Sequence, residues 1–283
     1  MYEQAKQNRR FSIQKLSTYF SFFGIVPWYN LQEQRIVHVK LYKYYAILLT
    51  ISLEFFSLVV LYVRLILTPK EDVIEQILCV TMQLIVMVSF AIIVLGSAFW
   101  NMGTWENFLD QIIHIQNFGN FSKPYPTRNG NIIFVLGNLF LFGLYFGQLL
   151  VFDNKSAFFL YFSCVYLLLY NQLLTVIVII DGTQSLRFEY QRLNDMVKCL
   201  RFGEMSSVKT LREIKRSLIT LGNTVDDFNK LFGWPLLLIL FNGVVNILEG
   251  LAMGISRNLE WFGKEHAMQK KVMLNVVYIV GSM

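Results

Sequence analysis

Four apolar stretches, about Tyr44 to Leu67, Ile74 to Phe99, Ile132 to Phe152 and Ala157 to Ile180, decide what this chain can fold into. Each reaches or exceeds the roughly 20 residues with which an α-helix crosses hydrocarbon at about 1.5 Å per residue. A fifth, about Leu231 to Leu251, contains Pro235 and three polar residues and is still long enough. A sixth begins near Val272 and reaches Met283 after about half a crossing. Of the 283 residues, 55% are hydrophobic and 16% charged, with mean hydropathy +0.47. A water-soluble domain carries about a quarter charged residues. The expected fold class is therefore all-α, a polytopic transmembrane helical protein with about six spans, the last incomplete.

Charge sets the direction of the spans. With the N-terminus inside, the segments before span one, between spans two and three and between spans four and five carry seven, two and nine of the 25 Lys and Arg. The outer segments carry two, one and four. Because cytoplasmic flanks collect basic residues, a cytoplasmic N-terminus follows. The expected organisation is a cytoplasmic N-terminal segment over 1–43, transmembrane helices one to four over 44–180, a cytoplasmic helical segment over 181–230, and helix five with the incomplete helix six over 231–283. Residues 1–43 contain no apolar run long enough for a cleavable signal peptide, so span one itself starts insertion.

The net charge of +6 sits between the apolar runs, where it anchors loops at a bilayer instead of forming a face for nucleic acid. Cys79, Cys164 and Cys199, and His38, His114 and His266, have no metal-ligand spacing. There is no phosphate-cradling glycine loop and no nucleophile elbow, so neither an enzyme nor a cofactor is expected. A small-solute transporter is disfavoured by the odd span count and the lack of an internal repeat.

The long polar segment is patterned. Leu186, Tyr190, Leu193, Val197 and Leu200 recur at steps of four and three, and after Gly203 so do Leu211, Ile214, Leu218, Leu221, Val225 and Phe228. Such steps give each of two helices an apolar stripe. The two helices either pack on each other or lie on the inner membrane surface, or they project from spans four and five and form an inner anchor where subunits meet. Before span one, Phe11 to Phe23 reads as a short interfacial helix ended by Gly24 and Pro27.

Polar residues inside the spans are the candidate functional groups. Glu54 lies near the middle of span one and Gln83 in span two, and an intramembrane carboxyl is expensive unless protonated, paired or wet. Gln83 itself, Tyr145 and Gln148 of span three, Tyr161 and Tyr166 of span four, and Asn242, Asn246 and Glu249 of span five fall in the outward halves. Asn242, Asn246 and Glu249 step by four and three and share one helix face. Together these residues suit a largely apolar pocket with a few polar groups. Singly, each also suits interhelical hydrogen bonding or an interfacial tyrosine. Gly143 and Gly147, four apart, permit a close helix contact in span three, and Gly233, Pro235 and Gly243 loosen span five.

This organisation resembles the insect gustatory receptors, relatives of the insect odorant receptors. Leu16 to Pro27 (LSTYFSFFGIVP) is similar to the family's opening, and Tyr190-Gln-Arg192-Leu193-Asn194 to its signature after span four. Asp227 to Leu238 (DFNKLFGWPLLL) is similar to the lead into span five, with an Asn before a Phe-Gly and an apolar run. The resemblance covers essentially the whole chain and favours the gustatory over the odorant branch. It implies a seven-span, ligand-gated cation channel of the cell membrane, assembled as a homo- or hetero-tetramer with other gustatory receptor subunits. The inner helices after span four would form the subunit anchor through Leu211, Ile214, Leu218, Leu221, Val225 and Phe228. The pocket for a small-molecule tastant, of bitter type by preference, would lie in the outer half, where Tyr145, Gln148, Tyr161, Asn242, Asn246 and Glu249 were placed. The family's span-seven element, a Thr-Tyr followed by five mostly apolar residues and Gln-Phe, is absent, which implies a C-terminally truncated chain. The competing expectations are a non-conducting or regulatory subunit and, at greater distance, a G-protein-coupled receptor, whose N-terminus would face outward.

Overall fold

The computed structural model describes residues 19–30, 35–67, 73–117, 128–151, 155–198 and 205–260. Six long helices follow a two-residue antiparallel hairpin, in which β1 (Tyr29–Asn30) pairs with β2 (Arg35–Ile36) through Tyr29 opposite Ile36. The helices are α1 (Val39–Leu67), α2 (Val73–Leu95, prolonged by a π turn over Gly96–Trp100), α3 (Met102–Asn117), α4 (Arg128–Val151), α5 (Lys155–Lys198) and α6 (Met205–Glu260).

The outer surface of α1 shows its solvent. Ile47, Leu48, Ile51, Phe55, Phe56, Leu58, Val59, Tyr62, Leu65 and Ile66 are all exposed, a belt that water would not tolerate and lipid or another helix would cover. Tyr42, Ala46, Thr50, Ser57 and Leu61 step along the other face and are buried. On α2 Gln83, Val86, Phe90, Val94 and Ser97 are buried, again at steps of three and four.

Among the described residues four helices are long and apolar enough to cross a membrane, with their spans in Val39–Val63, Val80–Trp100, Val165–Lys198 and Thr210–Leu248. The chain is thus a polytopic all-α membrane protein, with four of the six expected crossings identified among the described residues. The expected span three falls within α4, of which the apolar stretch Phe134–Leu150 is described. The expected span six lies outside the described residues, as do Phe11 to Thr18 of the expected interfacial helix.

Helix continuity follows the expectation that the patterned helices project from spans four and five. Span four and the first patterned cytoplasmic helix form one 44-residue helix, α5, and the second patterned helix and span five form one 56-residue helix, α6. Pro235 lies inside α6 without ending it. A proline forfeits one backbone hydrogen bond, and α6 runs on past it for another 25 residues.

The described chain divides into two compact units, one of Met1–Ala46, Val94–Ile132 and Thr175–Trp234, the other of Ile47–Ile93, Ile133–Leu174 and Pro235–Met283. In the first unit the helical turn over residues 19–22 ends at Gly24, which takes φ 72°. Gly24 N–H donates to the Ser21 carbonyl and Ile25 N–H to the Phe20 carbonyl, each at 3.1 Å, the paired bonds of a Schellman cap. A side chain at position 24 would be strained in that left-handed backbone. The fully buried Tyr42 holds this cap, its hydroxyl 3.2 Å from the carbonyls of both Gly24 and Val26 and 2.7 Å from Ser97 Oγ in the π turn.

Also in the first unit, α3 packs its aromatic face onto α6. Trp105 and Phe108 meet Phe232 and Phe228 with ring centroids 5.4 and 5.8 Å apart, and Thr224 donates to Gln111 Oε1 at 2.8 Å.

Candidate functional site

In the second unit the polar residues of the spans are organised by α5. Tyr145 of α4 lies 3.2 Å, hydroxyl to hydroxyl, from Ser163 and makes an edge-to-face contact with Tyr166 at 5.0 Å. One turn further along α5, the Tyr170 hydroxyl donates to Asn138 Oδ1 at 2.6 Å, while Asn138 returns its own amide to the Phe134 carbonyl at 2.7 Å. On the α6 side, Asn242 donates Nδ2 to Gln172 Oε1 at 3.1 Å. Both amides are buried, as are Asn246, one turn beyond on α6, and Gln148 on α4.

The Gln172 and Asn242 pair is not saturated. Gln172 Nε2 and Asn242 Oδ1 are buried and without a partner among the described residues. An amide offers two donors and a two-lone-pair acceptor; one bond between the pair leaves a donor and an acceptor unspent in an apolar setting. Buried polar groups are seldom left so, and each such group costs about 1–3 kcal/mol unless something completes it. The pair therefore fits a molecule that presents an acceptor and a donor together, such as a lactam or an alcohol.

Of the residues singled out from the sequence, the structure engages Tyr145 with Tyr166 and Asn242 with Gln172, and buries Gln148, Asn246 and Gln83. The side chains of Tyr161 and Glu249 lie outside those described, so the expected face Asn242, Asn246, Glu249 is seen in its first two members. The close helix contact that Gly143 and Gly147 permit is not seen among the described residues: a Cβ at either would meet nothing within 4 Å, and α4 approaches α5 through Tyr145 instead. Gln172 was missed by the sequence reading. Its signal was a polar Asn171-Gln172 pair within an otherwise apolar span.

The anchor stripe divides into two edges. Ile214 and Leu221 are buried and Phe228 is partly buried, seven residues apart, whereas Leu211, Leu218 and Val225, also seven apart, are exposed. The inner edge packs within the first unit, where Leu221 forms a core with Leu193, flanked by Leu186 and Met196 of α5. Phe228 lies over Gly182: a Cβ at that position would come within 2.6 Å of its Cε2. Tyr190 and Val197, expected on the packed stripe of α5, are instead exposed. Met196 takes the inward place.

Among the described residues no group of three or more His, Cys, Asp or Glu is placed to hold a metal ion. The second unit is instead a helical assembly with buried, incompletely bonded amides, a construction suited to binding. Residues 14–282 match a family described as 7tm chemosensory receptor. The chain belongs to this family. It comprises receptors of the insect gustatory and odorant type, in keeping with the sequence resemblance. No curated protein and no solved structure matches the chain. Membership makes this chemosensory receptor a multi-pass membrane receptor rather than an enzyme.

Proposed function

We propose that this chain is a gustatory chemoreceptor subunit of a ligand-gated cation channel, with its tastant held among α4, α5 and α6. The observation that carries the reading is the buried Gln172 and Asn242 pair with one donor and one acceptor unspent. Tyr145, Gln148 and Asn246 are the further groups assigned to this pocket, and Tyr161 and Glu249 are assigned to it from the sequence alone. A ligand shifts a closed and open equilibrium only through its differential affinity for the two packings. The tastant therefore binds more tightly to the helix arrangement of the open state, and no cofactor enters.

The orientation in this reading is a cytoplasmic N-terminus in the plasma membrane, supported by the excess of Lys and Arg in the segments assigned to the inner side. Residues 181–230 then form the cytoplasmic anchor at which subunits assemble into a homo- or hetero-tetramer. The exposed edge Leu211, Leu218 and Val225 supports this, since an apolar edge on a polar segment seeks a partner. A bitter-type ligand is the preferred class.

The test is recording from cells expressing the chain alone and with a second family member, challenged with a panel of lactam, alcohol and amine tastants. A ligand-evoked cation current that Asn242→Leu and Gln172→Leu each reduce at least tenfold in ligand sensitivity is expected, at about 1.4 kcal/mol per tenfold change. Currents indifferent to both substitutions contradict the placement of the site.

A further inference from the structure

A second polar cluster of the second unit is left unused by the reading above. On α1, Thr50, Glu54 and Ser57 follow at steps of four and three, on the face that also carries the buried Tyr42, Ala46 and Leu61. The cluster thus looks away from the exposed apolar belt of the same helix. From α2, Gln83, only 2% exposed, donates Nε2 to the Ser57 carbonyl at 2.7 Å and to the Ser57 hydroxyl at 3.0 Å.

Those two bonds spend both N–H groups of the Gln83 amide and leave its oxygen. Gln83 Oε1 is buried with no partner among the described residues, and so is Glu54 Oε1, one helical turn before Ser57. The unmet capacity is all of one kind. Two acceptor oxygens, one of them a carboxyl's, lie in a membrane span with no donor supplied to either.

The complement of such a set is a compact group with several N–H donors and a positive charge. An ammonium offers three donors, and a carboxylate taken out of water is stabilised by an opposite charge. A hard metal cation asks for six or more oxygens, and the cluster offers three side chains. We propose that Glu54, Ser57 and Gln83 form a binding site for a diffusible protonated amine, with Glu54 as its counter-ion and Gln83 Oε1 as the second acceptor. Ser57 positions the Gln83 amide so that its oxygen is the end left free. The site is independent of the tastant site on α4 to α6 and stands whether or not those helices bind a ligand.

The test uses the purified full chain in phosphatidylcholine nanodiscs, with butylammonium as the probe and 1-butanol as its uncharged counterpart. Butylammonium is expected to raise the melting temperature saturably, by about 5 °C at a hundredfold excess over its dissociation constant, and butanol to give no saturable rise. The rise is lost in Glu54→Gln, falls at least tenfold in apparent affinity in Gln83→Leu, and persists in Asn242→Leu. No saturable rise in the unsubstituted protein overturns the proposal. So does a rise that survives both Glu54→Gln and Gln83→Leu, or one that disappears only in Asn242→Leu, which would put the amine on α5 and α6. If Glu54→Gln does not fold, Gln83→Leu and the contrast between ammonium and alcohol decide the matter.

Discussion

The Tyr42 hydroxyl and Ser97 Oγ, 55 positions apart in sequence, lie 2.7 Å from each other, and both reach the carbonyl of Gly24. One buried pair of hydroxyls thereby fixes the N-terminal cap, the start of α1 and the π turn at the end of α2. Tyr42→Phe deletes the shared hydroxyl in a fully buried place and is expected to destabilise the protein by about 1–3 kcal/mol. Ser97→Ala should cost a similar amount, and the double variant less than the sum, because both remove one network. Thermal unfolding in nanodiscs measures all three; strict additivity would show that the two hydroxyls act separately.

Gly182 is required by the ring of Phe228. A methyl group there would stand 2.6 Å from Phe228 Cε2, well inside van der Waals contact. Gly182→Ala should destabilise the first unit by about 1–3 kcal/mol through overpacking, outweighing the gain in helix propensity of about 1 kcal/mol. Phe228→Leu in the same chain should restore much of the loss. Unfolding midpoints of the two single variants and the double variant give the coupling directly, and independent effects would show that the ring moves aside freely.

The two edges of the α6 stripe should respond differently to the same chemistry. Leu218→Glu changes an exposed position and is expected to weaken subunit association while leaving the melting temperature nearly unchanged. Ile214→Ala, at a position 1% exposed, is expected to destabilise the fold by about 2–5 kcal/mol. Native mass spectrometry reads the first and thermal unfolding the second. Intact oligomers with Leu218→Glu would remove the exposed edge from the subunit contact.

Tyr29 donates its hydroxyl to Asp110 Oδ1 at 2.6 Å. Burial, followed by the hydrogen bond and charge of Asp110, raises the phenol above its ordinary value. The neutral phenol is therefore the form that folding favours. Its contribution is complete below the unfolded phenol value of about 10 and is lost as pH rises through the higher folded value. Melting temperature followed into alkaline pH should fall more steeply for the natural protein than for Tyr29→Phe. Parallel curves would show that the contact does not survive in solution.

What the sequence made legible follows physical range. The apolar runs of α1 and α2 need only local composition, and the heptad spacing of Ile214, Leu221 and Phe228 marks a packed edge without naming what it packs on. The exposure of Leu211, Leu218 and Val225 was beyond it, because alternate members of one stripe face differently once α5 covers one edge. Helix α3 went unread, although Trp105, Phe108 and Ile112 have the right spacing, since it is short and lies between two crossings. The Asn242 face was legible, whereas its partner Gln172 sits 70 positions away. The same limit concealed the tie of Gln83 to Ser57, one turn from Glu54.

The central claim, that this receptor subunit passes ions itself when a tastant binds, is tested most directly by ligand-evoked current in excised inside-out patches bathed without GTP. The chain is expressed alone and with a second family member, and the ligand is supplied in the pipette. The account predicts cation current that persists after GTP is removed and whose ligand sensitivity falls in Asn242→Leu. A response that vanishes with GTP, or a current that the presence of this chain never alters, would contradict it.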